Sequence, residues 1–370
     1  MSQRCARIPQ LDGLRAISIS LVIFAHLFNS AGVSLPVSWF RWQMFSGLGV
    51  RVFFVISGFL ITGLLLREKE ECGSISLLRF YGRRTFRILV PYYVFLAVLI
   101  VAQALHLVRF TGNDLLHALT YTTNYQTDRS WVTGHCWSLA VEEQFYLLWP
   151  LAMVLLGKRR AALAALGMLF LAPVMRSFIW KFVPAMHPVL GISFETVADA
   201  LAAGCLLACA REKLWTRTGY RALLSSRWML LVPPAVMGIS LFDAFPSISY
   251  TVGYSLMNLG VALIIDWTLR FPQKWTARAL SLRPLVYVGS ISYSLYLWQQ
   301  PFLEHVDLQG LPLNLVAALA VAVLAHYAVE RPSLALRVRV EEWARSQFPQ
   351  LRRRSRIAMP VPAEQARAAA

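Results

Sequence analysis

Ten apolar runs, each close to the ~20 residues a helix needs to cross a bilayer, divide this 370-residue chain. They fall roughly at 11–29, 47–66, 87–107, 138–156, 161–180, 194–210, 228–243, 250–269, 284–303 and 312–330. The chain is 57% hydrophobic with a mean hydropathy of +0.52, too apolar for a soluble protein of this size. The expected fold is an all-α integral membrane protein, a bundle of about ten transmembrane helices. No internal repeat or second domain is visible. Residues 1–335 read as one membrane module, and 336–370 as a basic, partly disordered cytoplasmic tail rich in Arg, Ala and Pro.

A net charge of +17 raises the question of nucleic acid, and the distribution of that charge excludes it. Lys and Arg alternate between rich and poor inter-helix segments, with 29 on one side and five on the other. This is the positive-inside pattern, and it places both termini in the cytoplasm. The basic tail is suited to anionic lipid headgroups. The first run carries Asp12 and Arg15 and lacks a small-residue cleavage site, so it is not expected to be a cleaved signal peptide. Cys205 and Cys209 share a helix face with no further ligands nearby, which favours small buried residues over a metal site.

Ionisable groups inside a span are costly and by default mark function. His26 is the leading case. It lies on the face of Arg15, about 16 Å along the first span, and Asp12, about one turn before Arg15, is about 21 Å from His26. The charge alternation sets His26, Arg51, Glu142 and Glu143 in the outer half of the bundle, with Glu195 and Asp199 near that level. Tyr296, Trp298, Gln299 and Gln300 add polar and aromatic groups from the ninth span. At the cytoplasmic side, Asp12 and Arg15 fall near Arg83, Arg84 and Arg87, whose guanidinium forks suit phosphates. The same arginines also serve as positive-inside anchors. Trp137 doubles as a belt residue at the interface. His135, beside the WSL motif, is the one competitor to His26.

Five segments in order carry a family resemblance: IPQLDGLRAISISLVIFAHL, GVRVFFVISGFLITGLLL, RRTFRILVPYY, CWSLAVEEQFYLLWP and ISYSLYLWQQPF. The chain resembles the membrane acyltransferase-3 family of bacterial glycan O-acyltransferases from residue 8 to about residue 338, as a stand-alone membrane module. The resemblance implies a protein of the bacterial cytoplasmic (inner) membrane. Such a protein takes an acyl group, acetyl by default, from a cytoplasmic acyl-CoA and places it on a carbohydrate hydroxyl. The family's basic residue matches His26, its helix-1 arginine Arg15, its motif acid Glu142, and its arginine cluster Arg83, Arg84 and Arg87. Many relatives carry histidine where this chain has Gln299, and glutamine cannot shuttle a proton at neutral pH.

Acyl transfer to a hydroxyl needs a base, a held thioester and a stabilised oxyanion. The expectation is therefore His26 as general base oriented by Glu142, with Arg51 facing the oxyanion. Arg15, Arg83, Arg84, Arg87 and Asp12 would hold the donor. Glu143, Trp137, Tyr296 and Gln299 would meet the acceptor. No metal or permanently bound cofactor is expected; acyl-CoA is a co-substrate. An acyl-histidine intermediate is the second form of this mechanism. A proton-coupled transporter or glycan flippase is the competing function, since membrane carboxylates and a histidine also suit proton relays.

Overall fold

A computed structural model describes residues 8–30, 42–241, 245–303 and 311–347, and every regular element among them is helical. Two long helices open the chain, α1 (Pro9–Ser30) and α2 (Gln43–Cys72). A short α3 (Leu77–Arg84) runs through a widened, π-helical turn at Thr85–Leu89 into α4 (Val90–Ala104). Pro91 has no N–H to offer the preceding turn, which accounts for the widening. The connector beyond folds into α5 (Gly112–Leu119) and α6 (Trp131–Gly134). Then come α7 (Cys136–Phe182), α8 (Phe194–Trp215), α9 (Thr218–Ser225), α10 (Val232–Leu241) and α11 (Pro246–Ile248). After α12 (Tyr254–Arg270), the helix is interrupted repeatedly as α13 (Trp275–Leu280), α14 (Arg283–Ser290) and α15 (Ser292–Trp298). The described chain closes with α16 (Leu311–Ala325), a second widened turn at His326–Glu330, and α17 (Arg331–Gln347). The tail expected from residue 336 thus begins inside a helix, and residues 348–370 lie outside the described residues.

Seven described helical runs are long and apolar enough to cross a membrane, or eight if α9 and the bent stretch leading through α10 count as one. The expected ten is not reached on this measure, for two local reasons. The spans expected at 138–156 and 161–180 run on as α7, broken only at Gly157, where φ is 73° and ψ is 170°. Glycine enters that region without steric penalty. The span expected at 284–303 is cut into α14, α15 and a 3₁₀ turn, none of them long enough alone.

Close backbone contact sets how the helices cross. A β-carbon on Gly58 of α2 would lie 2.0 Å from the Leu201 carbonyl oxygen of α8. One on Gly204 of α8 would lie 2.1 Å from the Val55 carbonyl oxygen of α2. In lipid no hydrophobic drive brings helices together, so packing through small residues does. On the other side of α2, Gly49 meets the Ser18 carbonyl of α1, where a β-carbon would stand at 2.6 Å. The pair is antiparallel: Asn29 near the end of α1 accepts a 2.6 Å hydrogen bond from Gln43 at the start of α2. Phe24, Phe28, Trp42 and Phe45 clasp the same end. The opposite end of α1 packs on α14, with Gly289 against the Asp12 carbonyl.

Gly204→Val is therefore expected to destabilise the bundle by about 3 kcal/mol, read as a lowered unfolding midpoint of the purified protein. Gly167→Val, at a glycine with open space around it, is expected to leave that midpoint within about 1 kcal/mol of wild type.

Candidate active site

His26 opens onto a cavity of about 880 Å³, the larger of the two most prominent pockets among the described residues. Its wall draws on α1, α2, α6, α7, α8, α10, α12 and α15. The His26 imidazole is half-buried, edge-on to the Trp131 ring at 5.4 Å. Its Nδ1 stands 3.0 Å from Oε1 of Gln299. A carbonyl-type oxygen only accepts, so Nδ1 carries the proton and donates, and Nε2 is left with the lone pair. Gln299 is almost fully buried, which fixes it behind the imidazole. His135 lines the same cavity, and its Nε2–H donates to the Leu297 carbonyl at 3.1 Å. Trp137 and Tyr296 also line the cavity. The Tyr296 hydroxyl stands 2.6 Å from Ser138 Oγ and donates to the His135 carbonyl at 3.0 Å.

Arg51 reaches the cavity from α2 and lies over the Tyr254 ring at 3.7 Å. Behind it, Asp199 of α8 takes Arg51 at 3.8 Å and Arg176 at 3.0 Å. Arg176 is fully buried and also donates to the Tyr250 and Thr196 carbonyls and to Ser255. Arg176 is one of the five basic residues on the charge-poor side of the loop count. The signal was present: a lone arginine in the apolar run LAPVMRSFIW is costly unless paired. It forms instead the charged anchor joining α7, α8 and α12.

The depth map needs one correction. Glu142 was expected level with His26 and orienting it; Gln299 does the orienting, and Glu142 lies far below. Gly49 is level with Ser18–Val22 of α1. Ser57 is eight residues further along α2, and His26 lies in the opposite direction along α1, so the two are roughly 20 Å apart. Glu142 belongs with Ser57, whose hydroxyl donates to its Oε1 at 2.5 Å. Tyr146 donates to Ser57 at 3.0 Å, and Arg84 covers the Tyr146 ring at 4.1 Å. The guanidinium charges acting on Glu142 are those of Arg84 and Arg15. Glu143 follows Glu142 away from the cavity, with Arg84 as its cationic neighbour.

The arginine group itself divides. Arg15 pairs with Asp12 at 3.5 Å, and Asp12 is buried beneath α14. Arg87 keeps water access while Arg15, Arg84 and Glu330 act on its charge. Arg83 turns away to Glu68 at 3.2 Å. Glu330 accepts from Ser294 and His326, each at 2.8 Å. Among the described residues, no group of three or more His, Cys, Asp or Glu side chains could hold a metal ion.

This geometry, a histidine in an aromatic cavity at one end and arginines at the other, runs through the same segments as a known family. The model described as an acyltransferase domain matches residues 8–329. The chain belongs to this acyltransferase family. O-acetyltransferase OatA of Staphylococcus aureus strain NCTC 8325 / PS 47 is 31% identical over 326 residues, covering 81% of this chain and 51% of the relative. Peptidoglycan O-acetyltransferase OatA of Listeria monocytogenes serovar 1/2a is 27% identical over 328 residues, covering 80% and 49%. The chain thus spans about half the length of the curated relatives it matches. No solved structure matches it.

The mouth of the cavity is held by the connector between α4 and α7. Thr111 and Asp114 cap α5 reciprocally, and Asp114 also accepts from the Ser130 N–H and from Gln126. Arg129, Ser130 and Trp131 are delivered to the cavity on this frame. Burial raises the Asp114 pKa, but the donors from Thr111, Ser130 and Gln126 outweigh it and hold the carboxyl below its ordinary range. A depressed folded pKa means stability present above the unfolded value of about 3.9 and lost as pH falls through the folded one. Amide-exchange protection of residues 111–131 is therefore expected to persist to about pH 4 and to fail below it. Asp114→Asn should weaken that protection at neutral pH and flatten its acid dependence. Asp199→Asn, which leaves buried Arg176 without its carboxylate, should cost about 3–5 kcal/mol, read from thermal unfolding.

Proposed function

We propose that this chain is a membrane O-acetyltransferase of the bacterial cytoplasmic membrane, moving an acetyl group from acetyl-CoA to a hydroxyl of a cell-envelope carbohydrate. The observation that carries the reading is the His26–Gln299 pair at the wall of the aromatic cavity. With Nδ1–H committed to Gln299, Nε2 is the nitrogen that takes the acceptor's hydroxyl proton as its oxygen attacks the thioester carbonyl; the C–S bond then breaks, and the departing CoA thiolate takes that proton from Nε2 to leave as the free thiol. Arg51 on the same wall offers its charge to the developing oxyanion. Trp131, Trp137 and Tyr254 offer flat faces and a polar edge to a sugar. The name of the Listeria relative points to peptidoglycan as the acceptor class.

The donor enters at the opposite end, where Arg15, Arg84 and Arg87 lie close enough to act on one another's charge. Guanidinium groups gathered at one end of the bundle suit the phosphates of CoA, which their forks bind in pairs of hydrogen bonds. Arg83, tied to Glu68, contributes to the edge of this site. The Arg15 end faces the cytoplasm, in line with the loop charges.

Glycan from cells with and without the gene should differ by ester-linked acetyl groups in mass spectrometry. Build-up of unmodified precursor inside the cell would mark a transporter instead. His26→Ala should lower acetylation by about 10²–10⁴-fold at normal membrane levels, and Gln299→Leu should lower kcat about tenfold with the donor KM unchanged. Full activity in His26→Ala overturns the assignment.

A further inference from the structure

The displacement of Glu142 from the histidine leaves a carboxylate inside the bundle with no part in deprotonating the acceptor. Its surroundings are specific. Ser57 is its hydrogen-bond donor, at 2.5 Å on Oε1. Tyr146 donates to Ser57 and carries Arg84 on its ring. Glu142 itself is half-buried. A carboxylate has about four acceptor sites, and the hydroxyls of Ser57 and Tyr146 fill at most two of them. Replacing its hydration inside an apolar bundle calls for further N–H or O–H donors.

Its position says where those donors come from. Glu142 stands beside Arg84 and Arg15, the cations of the donor-phosphate end. Phe54 of α2 lines the floor of the histidine cavity, and Ser57 is one turn below it. Ser57 follows the cavity floor by one turn and Tyr146 carries Arg84, so the Ser57–Glu142–Tyr146 cluster lies between Arg84 and the cavity, on the line a donor reaching up from Arg84 must follow. Ser57 lies roughly 20 Å from His26 along the helices, and a CoA thioester held at Arg84 crosses that stretch with an extended arm bearing two amide groups. The phosphates stay with the arginines and the thioester meets the histidine, so the arm amides pass the carboxylate.

We propose that Ser57, Glu142 and Tyr146 form a binding subsite for the amide-bearing arm of a CoA-type donor, with Glu142 accepting an amide N–H and Tyr146 and Ser57 holding Glu142 in place. The proposal rests on the donor reading given above. It turns the glutamate from an orienter of the base into a recognition group for the arm of the donor.

Two ligands separate the arm from the phosphates: CoA, and adenosine bisphosphate, the nucleotide part of CoA without the arm. Calorimetric binding to the purified full chain is the measurement. Glu142→Gln should weaken CoA by about 10–100-fold, the range for a hydrogen bond to a charged group, and leave adenosine bisphosphate unchanged. Ser57→Ala should weaken CoA in the same direction by less. Arg84→Ala should weaken both ligands. Equal CoA affinity in Glu142→Gln and wild type overturns the subsite while leaving the donor reading intact. Loss of both ligands in Glu142→Gln, at an unfolding midpoint equal to wild type, overturns it as well, since the carboxylate would then serve the arginines. If the wild-type chain binds neither ligand, the donor reading fails and the subsite falls with it.

Discussion

The contact on which the rest of the molecule depends is the crossing of α2 and α8 at Gly58 and Gly204. Each glycine faces a carbonyl oxygen of the other helix at a distance no β-carbon would tolerate. Two consequences follow from that single approach. Arg51, two turns above Gly58, comes within ion-pair reach of Asp199, and Ser57, next to Gly58, is held near the α7 face that carries Glu142. Polar groups that would each be expensive alone are thereby gathered where they satisfy one another.

The molecule separates two kinds of chemistry along its length. At one end a neutral imidazole stands in a cavity walled by aromatic rings. At the other, arginines share a region with the acids Asp12 and Glu330. The distance between them follows from α1, which carries both Arg15 and His26 on a single rigid rod. A rod of fixed rise is a reliable spacer, whereas loops at either face can vary without changing the separation.

Much of this was legible beforehand. His26, Arg15 and Arg51 stood out because ionisable residues in apolar runs are rare, and the structure puts His26 and Arg51 on one cavity wall. Trp137 and Tyr296, expected to meet the acceptor, line that cavity. Glu142 was misplaced in depth, because a depth map built from loop charges treats every helix as parallel to the membrane normal and equally long. Gln299 was read as a substrate contact and proves to be the partner of His26. A pairing between residues 273 apart in sequence leaves no local trace. Arg176 was hidden for another reason: beside Lys181 at the end of an apolar run, it looked like an interfacial charge.

By itself the sequence determined the class of protein and the kinds of group it would hold in the bilayer. Hydropathy fixes which segments leave water, loop charge implies their orientation, and motif order identifies the acyltransferase family. Those are properties of composition along the chain, and they survive any detail of packing. Tertiary structure alone decided which polar groups meet: Gln299 with His26, Arg176 with Asp199, Ser57 with Glu142. Side-chain partnership across helices depends on where backbones cross and how far they slide past one another. Here that register is set by contacts between glycines and carbonyl oxygens, which carry no charge and no periodicity for a reader of the sequence to follow.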